Sequence, residues 1–111
     1  MTTRPLDVDV SEVKRLVDQG EELLLLDCRE RHEYDTVRLE GARLFPVREI
    51  PARMGELEPL SDRHIVVYCH HGIRSLYVTQ WLRQNGFPKA QNMQGGIDAW
   101  SLQVDPSLPR Y

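Results

Sequence analysis

Leu23–Leu26 and Ile65–Tyr68 are unbroken runs of large apolar residues, each only long enough for a strand and each leading into polar, helix-like sequence. A strand apolar at every position has to be covered on both faces, and such strands belong to parallel sheets with helices above and below. The intervening stretches supply those helices. Ser11 is placed to cap a helix over residues 12–19, where Val13, Leu16 and Val17 recur at helical spacing before Gly20. A strand follows over 23–28, then a short polar helix near 30–35, then Gly41 and a second strand near 42–45. Ile50, Met54 and Leu57 mark a helix with Pro51 in its first turn and Pro59 closing it. A third strand spans 65–68, and a helix over 74–85 carries Val78, Trp81 and Leu82 before Gly86. A fourth strand, 90–93, precedes Gly95-Gly96 and a last helix through Trp100; the tail from 104 to 111, with two prolines, is extended. The fold class is α/β: an open parallel sheet flanked by helices on both faces, with its chemistry at the carboxyl ends of strands.

With 111 residues, the chain is sized for one domain that buries roughly two-thirds of its unfolded surface. Charged residues make up 28% and the net charge is −3, with no basic block, so neither nucleic acid nor an acidic membrane is an expected partner. The start MTTRPLDVDV has no apolar core of signal-peptide length, and a cytoplasmic location is expected. Cys28 and Cys69 form no CxxC pair, which fits free thiols in a reducing compartment.

Cys69 falls at a strand end, in the segment CHHGIRS, just before a helix. An unperturbed cysteine is only about 3% thiolate at pH 7, so a nucleophilic one needs surroundings that favour the anion. A helix amino end with unpaired N–H groups supplies them, and Gly72 lets the backbone curl toward the sulfur. A pKa lower by about two, worth about 2.7 kcal/mol, would make thiolate the major form. Arg74 adds a planar donor fork suited to an oxyanion such as the sulfonate end of thiosulfate. A buried, inert cysteine followed by an incidental turn accounts for the same residues equally well.

Three segments break that tie. Asp27-Cys28-Arg29-Glu30-Arg31-His32-Glu33-Tyr34 with Gly41-Ala42, then CHHGIRS, then Gln94-Gly95-Gly96-Ile97-Asp98-Ala99-Trp100 together resemble the rhodanese homology domain from about Ser11 to Val104. The resemblance implies a sheet of about five strands and ping-pong transfer of sulfane sulfur. In that scheme Cys69 takes sulfur from thiosulfate or another persulfide donor and passes it to a thiol, cyanide or protein acceptor, with no cofactor. It also implies an active-site loop of His70, His71, Gly72, Ile73, Arg74 and Ser75. Four residues separate Cys69 from Arg74, which is similar to the sulfurtransferase loop, whereas related cell-cycle phosphatases and arsenate reductases have five. A persulfide-carrying module in a sulfur relay is the alternative, with phosphatase or arsenate reductase chemistry behind it. Arg38 and Glu40 depart from the family's His and Pro before Gly-Ala.

Supporting roles are expected for Asp27 and Arg29, near the loop at the end of a central strand, and for Glu33, which is equally well read as an exposed first-turn carboxylate. His70 and His71, adjacent in extended backbone, would point in opposite directions and could hardly share a metal; solvent-facing loop residues are expected, and no metal site. Cys28 is expected to be packed and inert, and Trp81 and Trp100 to be core.

Overall fold

The structure, a computed structural model, describes residues 4–111; Met1, Thr2 and Thr3, where the stretch read above for a leader begins, lie outside the described residues. The chain runs β1 (Asp7–Val8), α1 (Val10–Asp18), β2 (Leu23–Asp27), α2 (Arg31–Thr36), β3 (Arg43–Leu44), α3 (Met54–Leu57), β4 (His64–Tyr68), α4 (Ile73–Gln84), β5 (Ala90–Met93) and α5 (Gly96–Gln103). Its strands form one parallel sheet in the order β1-β5-β4-β2-β3.

The two apolar runs lie side by side at the centre, Leu23–Asp27 in register with His64–Tyr68. Alternate side chains go to opposite faces. Leu25, Val66 and Tyr68 pack with Val13, Ile97 and Trp100 beneath α1 and α5. Leu26, Ile65 and Val67 pack with Leu57 of α3 and Val78 and Leu82 of α4. Each such side chain stabilises the fold by roughly 1.5–3 kcal/mol when buried, so a register slip would cost both faces at once.

Two local expectations fail for identifiable reasons, and one strand was not anticipated. Asp9, not Ser11, caps α1: its carboxylate accepts the Glu12 N–H at 2.8 Å and the Ser11 hydroxyl at 2.6 Å, so the helix begins at Val10. A carboxylate gains more at a helix amino end than a hydroxyl does. Val13 is fully buried in α1, whereas Val17 is 41% exposed. The helix expected from Ile50 to Leu57 is broken into 3₁₀ turns at Val47–Glu49 and Pro51–Arg53, the single turn of α3, and another 3₁₀ turn at Glu58–Leu60. Pro51 and Pro59 have no N–H to sustain an α-ladder. Finally, β1 went unread because two residues carry no period; it is held by pairing Asp7 with Asn92 and Val8 with Met93.

Connections leave β2 and β4 toward opposite sides of the sheet, so a switch point lies between their carboxyl ends, where open α/β sheets place ligands. The tail folds back toward that end through a Leu108 N–H to Asp105 carbonyl bond of 3.1 Å and a Ser101 hydroxyl to Leu108 carbonyl bond of 2.6 Å. No helix among the described residues is long and apolar enough to cross a membrane.

Candidate active site

Cys69 follows the last residue of β4, and only three residues separate it from the start of α4. Gly72 makes that short turn possible with φ 99°, a conformation costly for any residue with a Cβ. The turn aims two amides at the sulfur: Gly72 N–H donates to Cys69 Sγ at 3.1 Å and Ser75 N–H at 3.4 Å. Gly95-Gly96 clamps the loop from the other side. Ile97 N–H donates to the Cys69 carbonyl at 2.9 Å and Asp98 N–H to the His70 carbonyl at 3.1 Å. A Cβ on Gly96 would fall 2.5 Å from the Cys69 carbonyl oxygen, so only glycine permits this approach.

The buried Cys69 thiol is held at about 4. The largest cause is a hydrogen bond from the Cys28 thiol; burial opposes it, and the Ser75 hydroxyl and the two amides add to it. The same contact, with burial, pushes the Cys28 thiol far up. The two shifts run in opposite directions, favouring the charge on Cys69 and the proton on Cys28. Cys28 is packed, as expected, and lies beside the sulfur whose acidity it favours.

The Ser75 hydroxyl lies 3.3 Å from Cys69 Sγ and 2.6 Å from Asn92 Oδ1, two acceptors that compete for its single proton. Asn92 is oriented in turn by donating its amide to Asp7 at 3.0 Å. This chain from the edge strand to the sulfur was missed in the sequence. A polar residue within a buried strand is its one signal there.

Both terminal nitrogens of Arg74 donate to Glu33, at 2.7 and 2.9 Å, so one edge of the guanidinium is occupied by a carboxylate of this chain. Glu33 is 8% exposed rather than a solvent-facing helix carboxylate, and Arg74 holds its carboxyl at about 2. Asp27 and Arg29 pair with each other, at 2.9 and 2.7 Å, entirely buried. Arg29 also donates to the Val37 carbonyl at 2.5 Å and to the Tyr111 hydroxyl at 2.8 Å. Tyr111 then donates to Glu33 at 2.7 Å, so one continuous polar network joins Asp27, Arg29, Tyr111, Glu33 and Arg74. Nothing in the sequence signalled Tyr111 beyond its being aromatic.

The His70 and His71 rings do not diverge: they stack with centroids 3.9 Å apart, and Tyr111 stacks on His70 at 4.0 Å. One ring nitrogen from each and an Asp98 oxygen lie within 4.8 Å of one another, so the argument from opposed directions does not hold. Asp98 is, however, already paired with Arg110 at 2.8 Å. Burial and the neighbouring His71 push His70 below the usual histidine range. Ile73 and Tyr77, each 76% exposed, flank an apolar groove of about 350 Å³ beside Arg74. Trp81 is half-buried, packing against the core while it lines that groove, and Trp100 is buried as expected.

Residues 9–103 match the family described as the Rhodanese-like domain. The chain is 36% identical over 100 residues to a probable adenylyltransferase/sulfurtransferase MoeZ of Mycobacterium tuberculosis, covering 90% of this chain but only 26% of that protein. With a sulfurtransferase of Allochromatium vinosum it shares 33% identity, over 86% of this chain and 87% of the relative. The human single-domain sulfurtransferase TSTD1 superposes with a TM-score of 0.77 at 26% identity, covering 90% of this chain and 98% of that one. A family match over most of the chain, a parallel five-stranded sheet and a cysteine loop at its switch point agree: this chain belongs to the rhodanese-like domain family.

Proposed function

We propose that this chain is a sulfurtransferase that carries sulfane sulfur as a persulfide on Cys69. The observation that carries the reading is the amide cradle around a buried sulfur whose thiol is held at about 4. The Cys69 thiolate attacks the outer sulfur of thiosulfate or a persulfide donor; the S–S bond of the donor breaks, and sulfite or a thiolate leaves with the electron pair. The Gly72 and Ser75 amides and the amino end of α4 then stabilise the persulfide anion without moving a proton. A thiol, cyanide or protein acceptor takes the sulfur and restores the thiolate. Arg74, paired with Glu33, positions the loop. With only four residues between Cys69 and Arg74, phosphatase and arsenate reductase chemistry is disfavoured. The two unpaired thiols fit a reducing, cytoplasmic setting.

Thiocyanate formation from thiosulfate and cyanide tests the reaction, and the mass of the chain after donor treatment tests the intermediate. One sulfur gained at Cys69 and removed by reductant is expected. Cys69→Ser should abolish both while leaving the fold intact by circular dichroism; turnover by Cys69→Ser would refute the mechanism. A second reading, a relay module that accepts or delivers sulfur only through another protein, is favoured by the exposed Ile73 and Tyr77 beside the loop. Loading from a protein persulfide but not from thiosulfate would select it.

A further inference from the structure

Sulfur transfer needs one cysteine, yet two stand at the switch point. Asp27 and Tyr68 are register partners on adjacent parallel strands, and the next residue in each chain segment is a cysteine. The ladder continues one step beyond them, since Cys28 N–H donates to the Tyr68 carbonyl at 3.1 Å. Residues abreast on neighbouring strands stand about 4.8 Å apart and point to the same face. Cys28 and Cys69 accordingly lie in one buried cluster against α4, each 1% exposed. A disulfide needs Cα atoms about 4.4–6.8 Å apart with Cβ atoms on the same side, the arrangement that the β2–β4 register, continued by one residue, gives Cys28 and Cys69.

We propose that Cys28 is a resolving cysteine, giving the chain a second activity: in the absence of an acceptor it discharges the Cys69 persulfide as hydrosulfide and closes a Cys28–Cys69 disulfide. The inference rests on the Cys69 persulfide argued above. The Cys28 sulfur attacks the inner sulfur of Cys69–S–S⁻, forming the Cys28–Cys69 bond as the bond to the outer sulfur breaks. The outer sulfur leaves with the electron pair and takes the Cys28 proton as HS⁻. Two electrons pass from the two cysteines to the sulfane sulfur, so no external oxidant enters. A dithiol reductant, small or protein-borne, reopens the disulfide by exchange. In the resting chain Cys28 keeps its proton beside the Cys69 thiolate and stays silent. After loading, the charge moves out one atom to the terminal sulfur, the Cys69 sulfur becomes an electrophile, and only then does Cys28 have something to attack. The discharge disposes of sulfur that finds no acceptor.

The full chain would be loaded with thiosulfate, freed of excess donor and held without acceptor, with sulfide and non-reducing intact mass followed together. The gained sulfur should give way to a loss of two hydrogens, with one equivalent of sulfide released. Cys28→Ser, which keeps a hydrogen-bond donor and removes the sulfur, should hold the added sulfur and release sulfide at least about ten-fold more slowly. Equal persistence of the loaded form in both proteins overturns the resolving role alone. Failure of both to load overturns the persulfide reading and this inference with it. A diazene thiol oxidant applied to the unloaded chain gives an independent readout: closure in the parent and not in Cys28→Ser supports the pair, and no closure in the parent overturns it.

Discussion

Cys69 owes its acidity to neighbours that arrive from three directions: Cys28 from just beyond β2, Gly72 from its own turn, and Ser75 from the first turn of α4. Burial alone would have raised its pKa, so the hydrogen bonds to the anion win. The thiolate should therefore persist down to acid pH. Alkylation of Cys69 is expected to reach half its plateau rate near pH 4, where the thiol is held, instead of near the ordinary value of about 8.5. Cys28→Ala removes the neighbouring thiol that favours the anion and should move that midpoint upward. An unchanged midpoint would assign the acidity to the amides alone. Ser75→Ala should act in the same direction but less, because the Ser75 hydroxyl is also engaged by Asn92.

At the scale of elements, the loop is fixed by how closely α5 approaches it. Gly96→Ala should cost about 2–4 kcal/mol, since the new methyl would collide with the Cys69 carbonyl and the backbone is already at φ 62°. Gly20→Ala is the control: φ is 71° with open space around it, so about 1 kcal/mol is expected from backbone strain. Thermal melts of the two variants test the contrast, and equal losses would mean that the clamp contributes nothing. Elements defined by apolar continuity were legible in the sequence: β2, β4 and α4 fall within a residue or two of expectation, and CHHGIRS was found because a strand and a helix bracket it. Other features depend on partners distant in the chain. β1 exists only because β5 lies beside it, and Glu33 is buried only because Arg74 reaches it from 41 residues away. The Cys28–Cys69 contact is likewise set by the register of β2 on β4, which no local pattern encodes.

Across the whole molecule, the last residue ties the first half to the loop. The Tyr111 hydroxyl accepts from Arg29 and donates to Glu33, and burial pushes its own pKa up to about 12, so it stays protonated at neutral pH. Tyr111→Phe leaves the buried Arg29 and Glu33 each one partner short and should lower stability by about 1–2 kcal/mol in urea unfolding, with no loss if the tail merely rests there. The thiol pair imposes a global pH dependence. Between about pH 4 and about 8.5 the unfolded chain holds both thiol protons while the native chain holds one, so unfolding takes up a proton and stability rises with pH. Above about 8.5 the unfolded chain loses both, the native chain keeps the Cys28 proton, and stability falls again. Glu33, depressed to about 2, adds stability that is present above about 4.3 and lost as pH falls through its native value. Subtracting the urea-unfolding curve of a Cys28→Ala, Cys69→Ala double variant cancels the Glu33 contribution and isolates the pair. The difference should peak near pH 8.5 and decline on both sides. A difference flat across pH would mean that the two sulfurs do not share a proton, and the acidity of Cys69 would need another source.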